Sequence, residues 1–234
     1  MTGRSLLFTC EHATNAIPEE LAFLREALGA DIWETHRAYD IGAIEAGREL
    51  ASRCGSSVIA STVSRLVVDT NRSEHHPKVF SEPIRALSRA QRESILAFFH
   101  RPHREMVATS LRGRMPVLHV AVHSFTPSLD GDERTMDVGL LYDPARGPER
   151  ELAAEWKRRL NARLPALRLR RNAPYRGAAD GLPTAFRRVF LPDDYAGFEL
   201  ELNQRAFDGA WPPEWLDALA ETLRELTSPT SAAD

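Results

Sequence analysis

Two histidines of this sequence follow short apolar runs that read as strands. His12 comes after Ser5–Cys10 (SLLFTC), and His123 closes the Pro-bounded run inside Met115–Pro127 (MPVLHVAVHSFTP). Such runs are typical of strands buried in a largely parallel sheet, where ligands bind just outside the carboxyl ends of the strands. The two imidazoles can therefore meet in one crevice, and we interpret them as metal ligands. The alternative is that each histidine only hydrogen-bonds its own loop.

A carboxylate is the expected third ligand, because two histidines and one acid leave the fourth position of a zinc ion open for water. Asp40 stands at the start of an amphipathic helical pattern. It is a candidate ligand, and a helix N-cap is its alternative role. Glu11 is the weaker candidate, since it points away from His12 if the strand continues. A Cys10–His12 nucleophile is disfavoured, because Cys10 reads as a small buried hydrophobe.

Two further acids lie on one face of an alternating strand. In Gly197–Asn203 (GFELELN), Glu199 and Glu201 share a face opposite the apolar residues of that strand. A carboxylate buried there needs a cation, a metal or a raised pKa, so a purely structural role is costly. An exposed edge strand is the alternative, and it would remove that requirement.

An arginine fork follows another predicted strand, Leu66–Asp69. Asn71 and Arg72 come directly after this run. A guanidinium at a strand end suits a substrate carboxylate or an oxyanion, whereas an Asp69–Arg72 turn pair is the structural alternative. Arg65 can serve either the substrate or the fold. The loop 172–177 either presents Tyr175 to a ligand or is only a tight turn.

The elements that must position these residues alternate between strand and helix along the chain. Helical patterns span Ile17–Leu28, Ile41–Cys54, Pro83 to about Arg112, Pro148–Leu164 and a segment that starts near Pro212. Pro102 should kink or restart the third helix and re-aim His103. Further strands are expected over Ser57–Thr62, Asp137–Asp143 and Leu167–Arg171, the last one peripheral. This order predicts a three-layer α/β/α fold around a mixed, mostly parallel sheet flanked by helices.

Composition limits the class of protein. The 234 residues carry a net charge of −3 without a basic stripe, so nucleic acid is not an expected partner. No stretch approaches the roughly 20 apolar residues of a membrane span, and no signal region opens the chain. Cys10 and Cys54 are isolated, which favours a reducing compartment, the cytoplasm. We expect a single domain over residues 1–227 and a disordered tail over 228–234.

Several segments together resemble the N-formylglutamate amidohydrolase family, in the family's order and over nearly the whole chain. They are EHATN at 11–15, SRLVVDTNR at 64–72, HSFTP at 123–127, NAPYRG at 172–177 and ELNQ at 201–204. The family is grouped with carboxypeptidase-like zinc hydrolases. The resemblance therefore implies a phosphorylase/hydrolase-like architecture and a metal-activated water.

Carried over residue by residue, the resemblance makes His12 and His123 metal ligands and Glu201 the general base. Asn71 and Arg72 match the pair with which carboxypeptidase-like enzymes hold a substrate carboxylate, and Arg72 is assigned to the catalytic group with Glu201. Other substrate contacts are predicted among polar residues of the same loops. These residues are Arg65, His103, Ser124, Arg134, Asn172 and Tyr175.

The third ligand departs from the peptidase pattern. Those enzymes take it from a His-x-x-Glu motif, but Asn15 stands three residues after His12. Cell-wall amidases of similar architecture take a carboxylate from the start of the next long helix, which makes Asp40 our choice over Glu11. The segment 100–103 (HRPH) also differs from the aromatic-rich Pro-Tyr-His segment of relatives, so the substrate can differ too.

These observations predict a hydrolase, dependent on zinc or another divalent metal, that cleaves the amide bond of an N-formyl or other N-acyl amino acid such as N-formylglutamate. The expected partner is this small molecule, and the oligomeric state stays open. Alternatives are a non-catalytic acyl-amino-acid sensor and a cell-wall-type amidase on a related substrate. A non-haem iron oxygenase also uses two histidines and a carboxylate, but it is expected on a β-barrel with His-x-Asp spacing.

Overall fold

A six-stranded sheet forms the centre of the molecule in a computed structural model, which describes residues 3–229. The strands are β1 (Ser5–Cys10), β2 (Val58–Ala60), β3 (Val117–Phe125), β4 (Ser128–Leu129), β5 (Asp132–Glu133), β6 (Val138–Leu141), β7 (Leu169–Arg171) and β8 (Tyr195–Asn203). Their order in the large sheet is β2-β1-β3-β8-β6-β7, and β4 and β5 form a separate hairpin. The predicted tail falls mainly on residues 230–234, outside the described range.

The sheet is mixed because one pair of strands reverses direction. β2, β1, β3 and β8 are parallel neighbours, whereas β6 pairs antiparallel with β8 and parallel with β7. The carboxyl ends of the four parallel strands therefore meet at one edge of the sheet, the place where ligands bind in open α/β folds.

Helices cover both faces of this sheet. They are α1 (Phe23–Leu28), α2 (Ala43–Arg53), α3 (Glu82–Arg85), α4 (Arg89–Ile95), α5 (Arg101–Arg112), α6 (Gly147–Arg163), α7 (Leu182–Arg187) and α8 (Pro213–Thr227). α2, α6 and α8 pack on the face formed by residues such as Phe198 and Leu200. α5 and α7 pack on the other face, which carries Tyr195. The predicted three-layer α/β/α fold is confirmed.

Along β8, the side chains of one face pack into the apolar core, while the opposite face carries two glutamates. Phe198, Leu200 and Leu202 are fully buried against α6 and α8. The intervening residues face the side of α5 and α7, where Tyr195 packs at the amino end and Glu201 lies near the carboxyl end. Because side chains alternate across a strand, one run of nine residues supplies both the main core and the acids of the opposite face.

Two predicted elements are wrong in their boundaries. Ile17–Leu28 is divided into a 3-10 turn, Glu19–Leu21, and the short helix α1. The long helix from Pro83 is divided into α3, α4, a π-helical segment Leu96–His100, and α5, in whose first turn Pro102 lies. The proline thus restarts the helix, in a position where its missing N–H is tolerated.

The predicted strand Leu66–Asp69 is wrong altogether, since this segment forms turns. Ser64 organises it: the Ser64 hydroxyl donates to the Ala38 carbonyl at 2.8 Å and accepts from the Leu66 N–H at 3.1 Å. Val67 and Val68 are buried in a second apolar cluster away from the sheet. Their burial explains why β-branched residues here resembled a strand.

A buried ion pair joins the amino-terminal half of β8 to the neighbouring helices and to the loop at Gly177. The Arg187 Nε lies 3.0 Å from both carboxylate oxygens of Glu149, and its other nitrogens donate to the carbonyls of Gly177 and Gly197. Breaking such a pair by removing one partner typically costs about 3–5 kcal/mol, because it leaves an unpaired buried charge. α6, α7 and β8 are therefore tied together behind the loop 177–181.

Within residues 3–229, no helix is both long enough and apolar enough to cross a lipid bilayer.

Candidate active site

His12 and His123 lie side by side at the carboxyl edge of the sheet. His12 follows β1, His123 lies near the end of β3, and the two strands are parallel neighbours. Their ring centroids are 5.0 Å apart. Both side chains are almost fully buried. The structure thus brings together the two histidines that the sequence analysis selected.

Asp40 lies between the two imidazoles. Its Oδ2 is 3.2 Å from His12 Nδ1 and 2.8 Å from His123 Nδ1. One ligand atom from each of these three residues lies within 4.8 Å of the others. The N-cap of α2 is Gly42, without a side-chain cap, so the helix-capping alternative for Asp40 is wrong. The Asp40 carboxylate instead faces the histidines.

A second carboxylate stands behind each histidine. Asp69 Oδ1 is 2.8 Å from His12 Nε2, and Glu11 Oε2 is 3.2 Å from His123 Nε2. The Asp69 contact is a hydrogen bond that fixes the orientation and the tautomer of the His12 ring, whereas Glu11 contacts His123 as an ion pair outside hydrogen-bond geometry. Both Nδ1 atoms point to the same space, next to Asp40. Glu11 is therefore placed behind His123 rather than beside it.

The charges of this cluster favour a cation. Burial lowers the pKa of His123, but the neighbouring carboxylates of Asp40 and Glu11 outweigh this and hold it well above its usual value. Burial raises the pKa of Asp40, but the histidines lower it more, so the carboxyl stays ionised. The buried carboxylates need positive charge, and Arg65 and the protonated imidazoles supply it. Two imidazole nitrogens and one carboxylate oxygen in this arrangement also form a donor set that suits zinc.

Glu201 lies next to this cluster because of strand register. β3 and β8 pair His123 with Glu201, so the two side chains project from neighbouring positions on one face. Glu201 is only 5% exposed, and its Oε2 has no hydrogen-bond partner in the protein. Burial raises the pKa of Glu201 to about 8. β8 lies inside the sheet, so the exposed-edge alternative for Glu201 is wrong.

Gly139 makes room for this arrangement from the other side. It pairs with Glu201 across β6 and β8. A Cβ at this position would lie 2.2 Å from the Ala173 carbonyl oxygen and 3.1 Å from the Glu201 Cβ. Any side chain at position 139 would therefore displace the loop 172–177 or the strand that carries Glu201.

The cluster opens into a cavity of about 470 Å³. Its wall consists of polar and charged residues from the strand ends and adjoining loops. They are His12, Asp40, Arg65, Asn71, Arg72, His123, Ser124, Tyr175, Arg176, Ala179, Asp180, Glu199 and Glu201. Both signs of charge are present, so the cavity suits a small zwitterionic or multiply charged ligand better than an apolar one.

Arg65 and Arg72 of the cavity differ in how many salt bridges and hydrogen bonds they form within the protein. Arg65 bridges Asp40 and Asp69, at 3.3 and 3.2 Å. Arg72 donates from Nη1 to the Asp180 carbonyl at 2.7 Å, and its Nε is 3.9 Å from Asp69 Oδ2. The predicted Asp69–Arg72 turn contact thus exists, but Arg72 still lines the cavity and keeps N–H groups for a ligand.

Three predicted substrate residues lie outside the cavity wall. Asn172 Oδ1 accepts from the Tyr142 and Gly177 N–H groups and so shapes its own loop. Arg134 stacks over the Tyr175 ring and donates to its hydroxyl at 3.1 Å. The remaining residue, His103, is buried, with Nε2 3.8 Å from Glu11 Oε1.

Ser124 does line the cavity, but its hydroxyl is engaged. Oγ donates to the Ile41 carbonyl at 2.6 Å and accepts from Gln204 Nε2 at 2.9 Å. Ser124 thereby ties the carboxyl end of β3 to the segment just after Asp40, which positions the third candidate ligand.

Several residues in or next to the cavity were not selected from the sequence. Asp69 was considered only as a partner of Arg72, although its spacing from Arg65 (i, i+4) matches the salt bridge that the turn allows. Asp180 and Ala179 lie in a loop without a distinctive pattern. Only the three-dimensional course of the loop 177–181 brings them to the cavity.

Comparisons with known proteins bear on the family and on the fold. Residues 4–207 match the sequence model of a family described as N-formylglutamate amidohydrolase. A gene product from Agrobacterium tumefaciens shares 29% identity over 96% of this chain and 89% of its own, with a TM-score of 0.77. An N-formylglutamate amidohydrolase from Ralstonia eutropha JMP134 shares 17% identity over 97% and 92%, with a TM-score of 0.65, a likeness in fold. No curated protein matches significantly.

The paired imidazoles generate a prediction on metal content. We expect stoichiometric divalent metal after reconstitution with zinc and dialysis, and sharply reduced occupancy in His12→Ala and in His123→Ala, because each removes one of three donors. Metal analysis by mass spectrometry measures this. The exposed His75 provides a matched control, His75→Ala, which should keep full occupancy. Full occupancy in both cluster variants would contradict the site.

Proposed function

Because the chain belongs to the N-formylglutamate amidohydrolase family, we propose that it hydrolyses the amide bond of an N-formyl or other N-acyl amino acid such as N-formylglutamate. The observation that carries this proposal is the position of Glu201, a buried acid with one unpartnered oxygen, directly beside the His12–Asp40–His123 cluster. A base placed next to a metal site, inside a cavity rich in arginine, suits hydrolysis of a carboxylate-bearing amide.

The proposed cofactor is zinc or another divalent ion, held by Nδ1 of His12, Nδ1 of His123 and the carboxylate of Asp40. The orientation of both Nδ1 atoms toward one space, with the opposite nitrogens facing carboxylates, supports this donor set. When bound, such an ion lowers the pKa of a coordinated water to about 7 and polarises a carbonyl oxygen. Asp40 is preferred to Glu11 because Glu11 stands behind His123.

Glu201 is the proposed general base. Its carboxylate would accept a proton from the attacking water and pass it to the leaving amine, the two transfers that hydrolysis of an amide requires. Burial raises its pKa to about 8 in the metal-free protein, and a cation in the cluster would lower that pKa. Such a downward shift of the pKa favours the ionised form that accepts the proton.

Arg72 is the proposed anchor for the α-carboxylate of the substrate, while the amide of the neighbouring Asn71 is engaged by Glu199 and by the Leu182 N–H. The Asp180 carbonyl holds one nitrogen of the guanidinium, which pre-orients the fork toward the cavity. A planar fork accepts a carboxylate bidentately. Arg65, fixed between two acids, lies where it can stabilise developing oxyanion charge.

The cysteines support the proposed cytoplasmic location. Cys10 is a buried free thiol and Cys54 is free as well. Free cysteines persist in reducing compartments, where disulfides are rare.

The role of Glu201 can be tested by an isosteric change. Glu201→Gln should lower kcat by roughly 10²–10⁴-fold, with little change in KM, because the amide cannot accept the proton. Steady-state release of the primary amine measures both constants. Glu151→Gln, which removes an exposed acid on α6, is the control and should keep wild-type kinetics. A binding protein without turnover would release no amine with either chain.

The role of Arg72 can be tested by comparing two substrates. Arg72→Lys should lose most activity toward an N-formyl amino acid but much less toward the corresponding α-amide, whose neutral end makes no use of the fork. The ratio of kcat/KM for the acid and the amide in each protein isolates this contact, since general damage lowers both values together. Equal losses on the two substrates would show that Arg72 does not bind the carboxylate.

A further inference from the structure

Glu199 is a cavity residue to which the proposed reaction gives no role. It lies on β8 two positions before Glu201, so both carboxylates project from the same face of the strand. Its side chain is half-buried and forms part of the cavity wall. A charged group in this position faces whatever the cavity binds.

The surroundings of Glu199 hold its carboxylate in place. Asn71 Nδ2 donates to Glu199 Oε1 at 3.1 Å. The Asn71 amide is oriented by the Leu182 N–H, which donates to its Oδ1 at 2.6 Å. Gly181 leaves the space that the carboxylate fills, since a Cβ there would lie 3.0 Å from Oε1. The position of Glu199 is thus fixed by two other segments of the chain, at Asn71 and at residues 181–182.

The negative charge of Glu199 has no cation beside it. Around the cavity, Arg65, Arg72 and the two histidines pair with Asp40, Asp69 and Glu11. In the part of the chain that the structure describes, none of the salt bridges includes Glu199. Its hydrogen bond comes from a neutral amide, which leaves the charge uncompensated in a partly desolvated wall. A ligand that brings positive charge or N–H donors to this wall gains the missing interaction.

We infer that Glu199 determines the side-chain specificity of the proposed hydrolase, which prefers N-acyl amino acids with a cationic or hydrogen-bond-donating side chain over those with an acidic one. This inference rests on the proposed hydrolysis of N-acyl amino acids and replaces N-formylglutamate as the preferred member of that class. The α-carboxylate binds at Arg72, the acyl carbonyl faces the His12–Asp40–His123 cluster, and the side chain lies against Glu199. An acidic side chain would meet a fixed like charge there, a strong means of excluding a ligand.

Arg176 supports a competing hypothesis, in which the cavity accepts an acidic side chain. It is exposed and lines the cavity from the loop 172–177. If an acidic side chain turned toward Arg176 instead of Glu199, N-formylglutamate would remain the preferred substrate. A side chain bound at Glu199 and one bound at Arg176 therefore lead to opposite orders of kcat/KM for substrates that differ only in side-chain charge.

The test compares N-formyl-L-lysine, N-formyl-L-glutamine and N-formyl-L-glutamate with zinc-loaded wild type, Glu199→Gln, Arg176→Gln and the control Glu151→Gln. The wild type should show the highest kcat/KM for the lysine substrate and the lowest for the glutamate substrate, about tenfold or more apart, because like charges are disfavoured. Glu199→Gln keeps the acceptor for Asn71 and should reduce this ratio to near one. Glu151→Gln should leave it unchanged. Since a general effect on Glu201 alters all three substrates equally, the ratio reports specificity alone.

A binding measurement separates this inference from the proposed function. Calorimetric titration of metal-free wild type and Glu199→Gln with the same three compounds should show the same order of affinity and the same loss of preference. A preference for the glutamate compound that Arg176→Gln abolishes, or a ranking that Glu199→Gln leaves unchanged, would overturn the inference. Absence of hydrolysis with all three compounds would overturn the proposed function, while the binding ratios would still decide the role of Glu199.

Discussion

The Nδ1 atoms of His12 and His123 both face one oxygen of Asp40, at 3.2 and 2.8 Å, and the remaining parts of the site are arranged around this shared contact. Asp69 and Glu11 hold the rings from behind, so neither imidazole can turn away without losing a buried partner. Burying three carboxylates is unfavourable unless positive charge accompanies them. Arg65 and the two imidazoles supply that charge, and the two Nδ1 atoms with the Asp40 carboxylate form the donor set that we propose for a divalent ion.

The strand β8 connects this cluster to the rest of the molecule. Its even-numbered residues complete the main core, while Glu199 and Glu201 project from the opposite face. The strand is held rigid by neighbours on both sides, so its acids keep fixed distances to the histidine of β3. Burial of Glu201 is costly for stability, and it sets a pKa of about 8 that exposed glutamates do not have. Side chains supported by strands in this way are placed more precisely than side chains on loops.

Local patterns in the sequence were sufficient to find the six strands of the central sheet and the two histidines near their carboxyl ends, because apolar runs that end in polar residues are typical of buried strands. They were insufficient for Asp69, since the buried valines 67 and 68 resemble a strand while Ser64 folds them into turns. The reversed direction of β6 and the π-helical segment 96–100 also depend on packing between distant segments. The same holds for the contact between Asp40 and the histidines, which no spacing along the chain specifies.

The measurement that tests the proposed metal site most directly is anomalous diffraction at the zinc edge from crystals of the zinc-loaded protein. We predict a single strong peak in the cavity, about 2.0–2.1 Å from Nδ1 of both His12 and His123 and at a similar distance from a carboxylate oxygen of Asp40. The account would be contradicted by a zinc ion that binds Nε2 of either histidine, by one whose third ligand is Glu11 instead of Asp40, or by zinc found only at surface histidines.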